Sequence, residues 1–320
     1  MLATRLTRLL GVKHPILSAP MAFAAGGTLA GAVSAAGGLG LIGGGYGEAD
    51  WLTREFVAAG NQRVGCGFIT WSLAKNPALL EQALAHRPAA VMLSFGDPVP
   101  FAAQVRDSGA KVICQVQSLA HARAAIDAGA DIIVAQGGEA GGHGGGRGTL
   151  SLVPEVADLL TRDAPHVVLV AAGGIADGRG LAAALMLGAE GVLIGSRFWA
   201  SREALVHANH HAAALKADGD GTQRQRATDI ARGLDWPPEF TARILRNAFT
   251  RRFAGREGAM REELAAYGTD YAAAFAAGDP DKAGVWIGEA AGLIGDIPPA
   301  AEIVQRIVSE AEICLARRRA

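Results

Sequence analysis

The sequence predicts a (β/α)8 TIM barrel, and three features of its pattern lead to that prediction. Eight short apolar segments alternate with helical segments over the first two hundred residues. The apolar segments are nearly continuous runs, as expected of parallel strands that are buried on both faces. A Gly-Ala dipeptide precedes three of them, at residues 109–110, 129–130 and 188–189, so the repeating unit is a helix end joined to a strand start. A doubly wound sheet is the alternative, but eight such units favour a closed barrel.

The strands are assigned to apolar runs bounded by glycine, proline or a change to helical spacing. They are predicted at residues 14–21, 37–43, 64–69, 89–93, 111–116, 131–135, 167–171 and 191–194. The intervening helices are predicted at residues 28–36, 48–59, 76–85, 99–107, 118–128, 154–162 and 177–187. Thr28, Asn76 and Ser118 are suitable N-caps, Pro77 suits a first helical position, and Gly129 suits a helix stop.

The segment after the eighth strand differs from the barrel pattern. Residues 201–300 are rich in alanine and charge, are broken at Trp236-Pro237-Pro238, and show no strand pattern. Residues 301–316 have the apolar spacing of an amphipathic helix. We therefore expect a barrel core over residues 1–200, a helical lid or insertion over 201–300, and a closing barrel helix over 301–320.

Composition excludes several classes of protein. The 320 residues carry a net charge of −1, and no basic stripe with interleaved aromatic residues favours nucleic-acid binding. Glycine and proline break the apolar stretches before they reach membrane-spanning length, and the N-terminus lacks a signal-peptide pattern. Three scattered cysteines, Cys66, Cys114 and Cys314, indicate a reducing cytoplasm, and the first two are expected to be buried thiols.

The most unusual stretch is residues 131–148, where the sixth strand runs into a loop with six glycines between positions 137 and 145. Glycine lets the backbone approach a ligand closely, and barrels place catalytic groups at such strand ends. His143 in this loop is a candidate general base, although a solvated or structural histidine is the alternative. Glu139 orients the loop or is solvated, and Arg147 binds an anion or caps the next helix. Ser94 and Gln115 are expected near the barrel mouth.

Two glycine turns follow the last two strands, with Gly173 and Gly174 in one and Gly195 and Ser196 in the other. Backbone N–H groups in such turns bind phosphate in many barrels, and two ordinary turns are the alternative. The histidines at 207, 210 and 211 lack flanking carboxylates or cysteines. We interpret them as the polar face of an exposed helix rather than a metal site.

Taken together, these motifs resemble the nitronate monooxygenase family, formerly called 2-nitropropane dioxygenases. The matching segments lie in family order at residues 19–21, 37–40, 136–143, 172–179 and 195–198. The glycine-rich histidine motif is the most specific, since many flavin barrels share the phosphate turns. Gln115 stands where some members have lysine, and Phe68 falls near an asparagine seen in others.

The resemblance implies a barrel that holds non-covalent FMN, oxidises alkyl nitronates or nitroalkanes with O2, and releases a carbonyl compound and nitrite. It places the FMN phosphate at Gly173, Gly174, Gly195 and Ser196. It also places Ala19, Met21, Gln115 and Gly142 beside the flavin. His143 falls on the catalytic histidine, as base for a neutral nitroalkane or, as imidazolium, holding an anionic nitronate. No nucleic acid or membrane is an expected partner, and a homodimer is left open.

Alternatives remain on the same barrel. An NAD(P)H-dependent quinone or enoyl-thioester reductase would use the same flavin, and a phosphosugar enzyme would use the phosphate turns without flavin. A flavin-binding protein without activity is a further alternative. A dehydrogenase with a thioimidate intermediate would need a cysteine in the active loop, and residues 137–148 contain none.

Overall fold

A computed structural model of the chain describes residues 2–317, in which eight parallel strands form a closed barrel. Consecutive barrel strands pair with one another, and the first strand pairs with the last to close the ring. The barrel strands are β1 (Ile16–Ser18), β2 (Leu39–Gly43), β3 (Gly65–Ile69), β4 (Ala90–Ser94), β5 (Lys111–Val116), β6 (Ile132–Gln136), β8 (Val168–Ala172) and β9 (Val192–Ile194). The predicted (β/α)8 barrel is confirmed.

Nine helices of the described chain pack around the barrel, and all but the first lie between successive strands. They are α1 (Arg5–Leu10), α2 (Gly27–Ala35), α3 (Ala49–Ala58), α4 (Thr70–Leu73), α5 (Ala78–Ala85), α6 (Val99–Asp107), α7 (Leu119–Asp127), α8 (Thr149–Asp163) and α9 (Gly178–Met186). Helix α1 was not predicted from the sequence. Its Leu6 and Leu10 are fully buried and join the apolar cluster inside the barrel, so α1 covers one end of it.

Helix α8 begins five residues before the predicted start at Pro154. The prediction was wrong because it treated this proline as the first helical residue. The start of α8 is stabilised instead by Glu139, whose carboxylate accepts a hydrogen bond from the Thr149 backbone N–H at 2.9 Å. A carboxylate at a helix N-terminus satisfies a free N–H and complements the helix dipole.

A second sheet corrects the expectation that residues 201–300 contain helices alone. Strands β10 (Thr222–Gln225) and β11 (Thr241–Leu245) pair antiparallel, and β11 also pairs with β7 (Gly142–Gly144). The glycine-rich loop therefore contributes a strand, and His143 lies opposite Ala242. Arg224 and Arg243 both donate to the Gly138 carbonyl, at 3.1 and 3.0 Å, and so fasten the loop to this sheet.

The remaining helices follow the last barrel strand, β9. They are α10 (Ser196–Trp199), α11 (Ala208–Ala214), α12 (Ala227–Ala231), α13 (Ala248–Phe253), α14 (Arg261–Ala266), α15 (Gly268–Ala276) and α16 (Ala300–Arg317), with short 3-10 helices at Gly219–Gly221 and Glu289–Leu293. Helix α16 buries Ile303, Val304, Ile307 and Val308, as its predicted apolar spacing requires. Residues 318–320 of the predicted closing segment lie outside the described residues. Within residues 2–317, no helix combines the length and apolar character needed to cross a bilayer.

The insertion packs on the barrel through one apolar cluster and has a small core of its own. The shared cluster includes Trp199 from α10 and Val285 and Ile287 from the insertion, all nearly or fully buried. The insertion's own core is built around aromatic residues, with Phe249 and Phe253 in contact at 5.1 Å between ring centroids. Buried apolar packing of this extent fixes the insertion over the strand ends.

Candidate active site

A cavity of about 480 Å³ lies at the carboxyl ends of the barrel strands, between the barrel and the insertion. Its lining includes every site residue predicted from the sequence, which are Ala19, Met21, Gln115, Gly142, His143, Gly173, Gly174, Gly195 and Ser196. The carboxyl ends of barrel strands are where enzymes of this fold place their reactive groups. The tertiary structure thus brings together residues that are far apart in the chain.

The two glycine turns after β8 and β9 face this cavity with open backbone. Gly173 and Gly174 have φ angles of 101° and 72°, which favour glycine strongly. A Cβ on Gly173 would lie 2.9 Å from the Gly137 carbonyl oxygen. Within the described chain, the N–H groups of Gly174, Gly195 and Ser196 donate to no other protein group. These N–H groups can therefore donate to an anionic ligand.

The loop after β1 forms an apolar wall next to these turns. Ala19 donates its backbone N–H to the Ile194 carbonyl at 2.9 Å, which ties the loop to the end of β9. The Met21 sulfur lies 3.7 Å from the position that a Cβ on Gly195 would take. Phe68, buried at the end of β3, continues the wall. A flat aromatic ring can lie against this surface while its phosphate reaches the turns.

His143 is held by a carboxylate and by an aromatic ring that both come from the insertion. Its Nε2 lies 3.0 Å from each carboxylate oxygen of Asp229 on α12. Its ring stacks on Trp236, with centroids 3.4 Å apart and 3° between the planes. The side chains of His143 and Asp229 are both almost fully buried. The imidazole is therefore fixed in position before any substrate enters.

Burial sets the protonation state of this imidazole. Removal from water lowers the pKa of His143 below 6.5, and the carboxylate of Asp229 opposes that shift without cancelling it. The neutral imidazole is thus favoured over the imidazolium at neutral pH. Because Nε2 faces an acceptor-only carboxylate, the proton belongs on Nε2 and the lone pair on Nδ1.

Three glutamine side chains connect the strand ends to His143. Gln115 and Gln117 each donate from Nε2 to the Gln136 Oε1, at 3.2 and 2.9 Å. Gln136 in turn donates to the His143 backbone carbonyl at 3.1 Å. All three amides are buried, so each bond is costly to break. Gln115 therefore lines the cavity and also supports the strand that carries the histidine.

The structure also decides between the alternatives for three nearby residues. Glu139 is structural, since it accepts from both the backbone N–H and the hydroxyl of Thr149. Arg147 pairs with Glu155 on α8 at 2.8 Å in a half-exposed ion pair, so it supports the next helix. Ser94 is buried and lines the cavity at the end of β4.

The three histidines of the insertion correct one expectation. Their helix was expected to be exposed, yet His210 is buried, and His211 donates to the Trp199 carbonyl at 2.9 Å. His207 accepts a hydrogen bond from the Asn209 N–H at the start of α11. Over residues 2–317, no three metal-binding side chains converge. As predicted, Cys66 and Cys114 are buried, and burial raises the pKa of each thiol to about 12.

The aromatic part of the site was not predicted from the sequence. Tyr46, Trp236 and Trp286 line the cavity together with Arg232, whose guanidinium lies over Tyr46 at 5.2 Å and over Trp286 at 5.4 Å. For this region the sequence predicts only a break at Trp236-Pro237-Pro238. Phe23 and Phe95 also line the cavity, with positive φ angles of 60° and 63°. Such backbone strain clusters at functional sites.

The fold and site together define a (β/α)8-barrel enzyme with phosphate-type turns and a histidine–carboxylate pair at the carboxyl ends of its strands. The sequence profile of the nitronate monooxygenase family matches residues 3–61 and 72–310. The chain belongs to the nitronate monooxygenase family, and it is an oxidoreductase of that family.

Individual proteins show the same relationship. The chain is similar to a nitronate monooxygenase of Neurospora crassa, at 35% identity over 94% of this chain and 90% of that protein. Among solved structures it resembles FabK from Thermotoga maritima, with a TM-score of 0.88 and 33% identity over 100% of this chain and 99% of that one. It also resembles a nitroalkane oxidase from Streptomyces ansochromogenes, with a TM-score of 0.80 and 28% identity over 98% of this chain and 99% of that one.

Proposed function

We propose that this protein uses FMN and O2 to oxidise alkyl nitronates, and neutral nitroalkanes, to carbonyl compounds and nitrite. The observation that carries the proposal is the His143–Asp229 pair, fixed on Trp236 inside a cavity that also contains two open phosphate-type turns. Family membership and the similarity to a nitroalkane oxidase support the same chemistry.

The cavity fits FMN in its donors and its shape. The free N–H groups of Gly174, Gly195 and Ser196 would bind the phosphate, because such N–H groups favour anions. Ala19, Met21, Gln115 and Gly142 would surround the ring, as the family resemblance implies. When bound, FMN supplies the electron transfer and the reaction with O2, while the protein supplies position and electrostatics.

His143 would act as the proton acceptor for a neutral nitroalkane. Its Nδ1 carries the lone pair, and Asp229 stabilises the imidazolium formed when the substrate's α-proton is taken. A nitronate is already deprotonated, so it needs position rather than a base. The aromatic rings of Trp236, Phe95 and Tyr46 exclude water from the same space, which strengthens electrostatic interactions there.

The remaining assignments are part of the same proposal. The buried, unpaired thiols of Cys66 and Cys114 support a reducing compartment, and we place the protein in the cytoplasm. The insertion over residues 201–300 would act as a fixed lid, since it supplies Asp229 and Trp236 to the site.

Purified protein tests the proposal directly. We expect a flavin absorption spectrum, oxygen uptake on addition of a small alkyl nitronate, and release of nitrite in proportion to nitronate consumed. A colourless protein that does not take up added FMN would contradict the cofactor assignment. Rapid anaerobic bleaching by NADH without nitronate turnover would favour the flavin reductase alternative instead.

A negative charge at Gly195 should expel the cofactor. A Cβ there would make only ordinary van der Waals contacts, with its nearest neighbours 3.7 Å away, so Gly195→Ala is a matched control for shape. Gly195→Asp adds a carboxylate beside the proposed phosphate, and like charges at about 4–5 Å lower affinity on the order of a hundredfold. Titration of apoprotein with FMN, followed by flavin fluorescence, measures both variants. Equal FMN affinity in the two variants would place the phosphate elsewhere.

A further inference from the structure

Helix α12 carries two charged side chains one turn apart, and only one of them has a partner of opposite charge. Asp229 binds His143, whereas Arg232, three residues later, caps the end of the helix. None of the salt bridges within residues 2–317 involves Arg232. Its guanidinium lies between the faces of Tyr46 and Trp286, at the edge of the cavity.

The aromatic rings hold this guanidinium without neutralising it. Stacking on a ring face fixes the plane of an arginine. The guanidinium also contacts the Tyr46 hydroxyl, and its remaining N–H groups can bind an oxyanion. Lysine is absent from the described cavity lining and arginine occurs once, so Arg232 is the permanent cation of that lining. His143, His207 and His210 also line the cavity, but an imidazole, unlike a guanidinium, is not permanently charged.

We propose that Arg232 binds the oxyanion of the substrate and makes the site selective for anionic nitronates over neutral nitroalkanes. The inference rests on the proposed function and assigns a specificity residue within it. A planar nitronate presents two oxygens that share the negative charge, and a guanidinium can donate to both. A neutral nitro group has the same shape with less charge on its oxygens, so it gains less from the same contact.

The position of Arg232 also fits the proposed proton transfer. Its charge acts on His143, where it disfavours the imidazolium. It would therefore hold the negative charge that forms on the nitro group as His143 takes the α-proton. One short helix, α12, would then position both the carboxylate partner of the base and the oxyanion site.

The test compares Arg232→Gln, Arg232→Lys and the control Arg251→Gln, whose arginine is exposed on α13 outside the described cavity lining. For Arg232→Gln we expect KM for a nitronate to rise about ten- to a hundredfold, since a charge-assisted hydrogen bond is lost. KM for the matching neutral nitroalkane should change less than about threefold, because a hydrogen bond to an uncharged nitro group contributes less to binding. Arg232→Lys should lie between Arg232→Gln and the unmodified protein, and Arg251→Gln should match the unmodified protein.

A binding measurement separates this inference from the proposed function. Nitrate has the planar oxyanion of a nitronate and is not turned over, so calorimetric titration with nitrate needs no activity. Weaker nitrate binding in Arg232→Gln, with affinity partly kept in Arg232→Lys, supports the inference even if no nitronate is oxidised. Equal nitrate affinity in the unmodified protein and Arg232→Gln, or equal rises in KM for nitronate and nitroalkane, would overturn it.

Discussion

Replacing His143 with glutamine is expected to leave FMN bound and to lower the turnover of a neutral nitroalkane by about 10²- to 10⁴-fold, the usual contribution of a general base. Glutamine keeps a polar side chain of similar length, but its amide cannot accept the α-proton. The histidine contacts Asp229 and Trp236 rather than the phosphate turns, so cofactor binding should survive. Steady-state oxygen uptake and the flavin spectrum measure the two effects separately.

The matching nitronate provides the internal control for this variant. Because it enters without its α-proton, its turnover should fall far less than that of the neutral nitroalkane. Equal losses with both substrates would mean that His143 positions substrate without accepting a proton. Unchanged turnover of the neutral nitroalkane would refute the assignment of the base.

Replacing Asp229 with asparagine should reduce nitroalkane turnover by roughly 10- to 100-fold, as for other residues that orient a functional group. The amide can accept the Nε2 proton but no longer stabilises the imidazolium. Because Asp229 opposes the lowering of the His143 pKa, its loss should lower that pKa further. A base works only when it is unprotonated, so the acid limb of the kcat–pH profile of the unmodified protein should lie below pH 6.5. In Asp229→Asn this limb should move to still lower pH.

This shift of the acid limb distinguishes positioning from packing. Asp235→Asn is the control, since Asp235 is exposed in the same segment of the insertion. A lower maximal rate with an unmoved acid limb would mean that Asp229 acts only through packing. An acid limb that moves to higher pH would contradict the electrostatic relationship between the two side chains.

The barrel was predictable because its strands are buried on both faces. Such strands must be apolar throughout, and they then stand out against any helical period. Strand β5 begins and ends where the sequence predicts, at Lys111 and Val116. The second sheet was not predictable in the same way, since β10 is the polar run Thr222–Gln225 and β7 is Gly-His-Gly. Short strands of this composition form only because a neighbour is present to pair with.

The candidate site was likewise predictable only in part. The location of His143 and of the glycine turns at the cavity was predictable from the sequence, because each follows a predicted barrel strand. Nothing local marked Asp229, which is 86 positions from His143 in the chain and meets it through the insertion. Arg232, Tyr46 and Trp286 likewise come from three separate segments.

The sequence by itself determined the closed barrel, the family, and the glycine-rich loop with its histidine, because each depends on residues that are neighbours in the chain or on a repeating period. Only the tertiary structure decided what surrounds that histidine. Its carboxylate partner, its stacked tryptophan and the uncompensated arginine come from an insertion whose position depends on side-chain packing over the strand ends. Packing of that kind joins distant segments and leaves no periodic signal in the sequence.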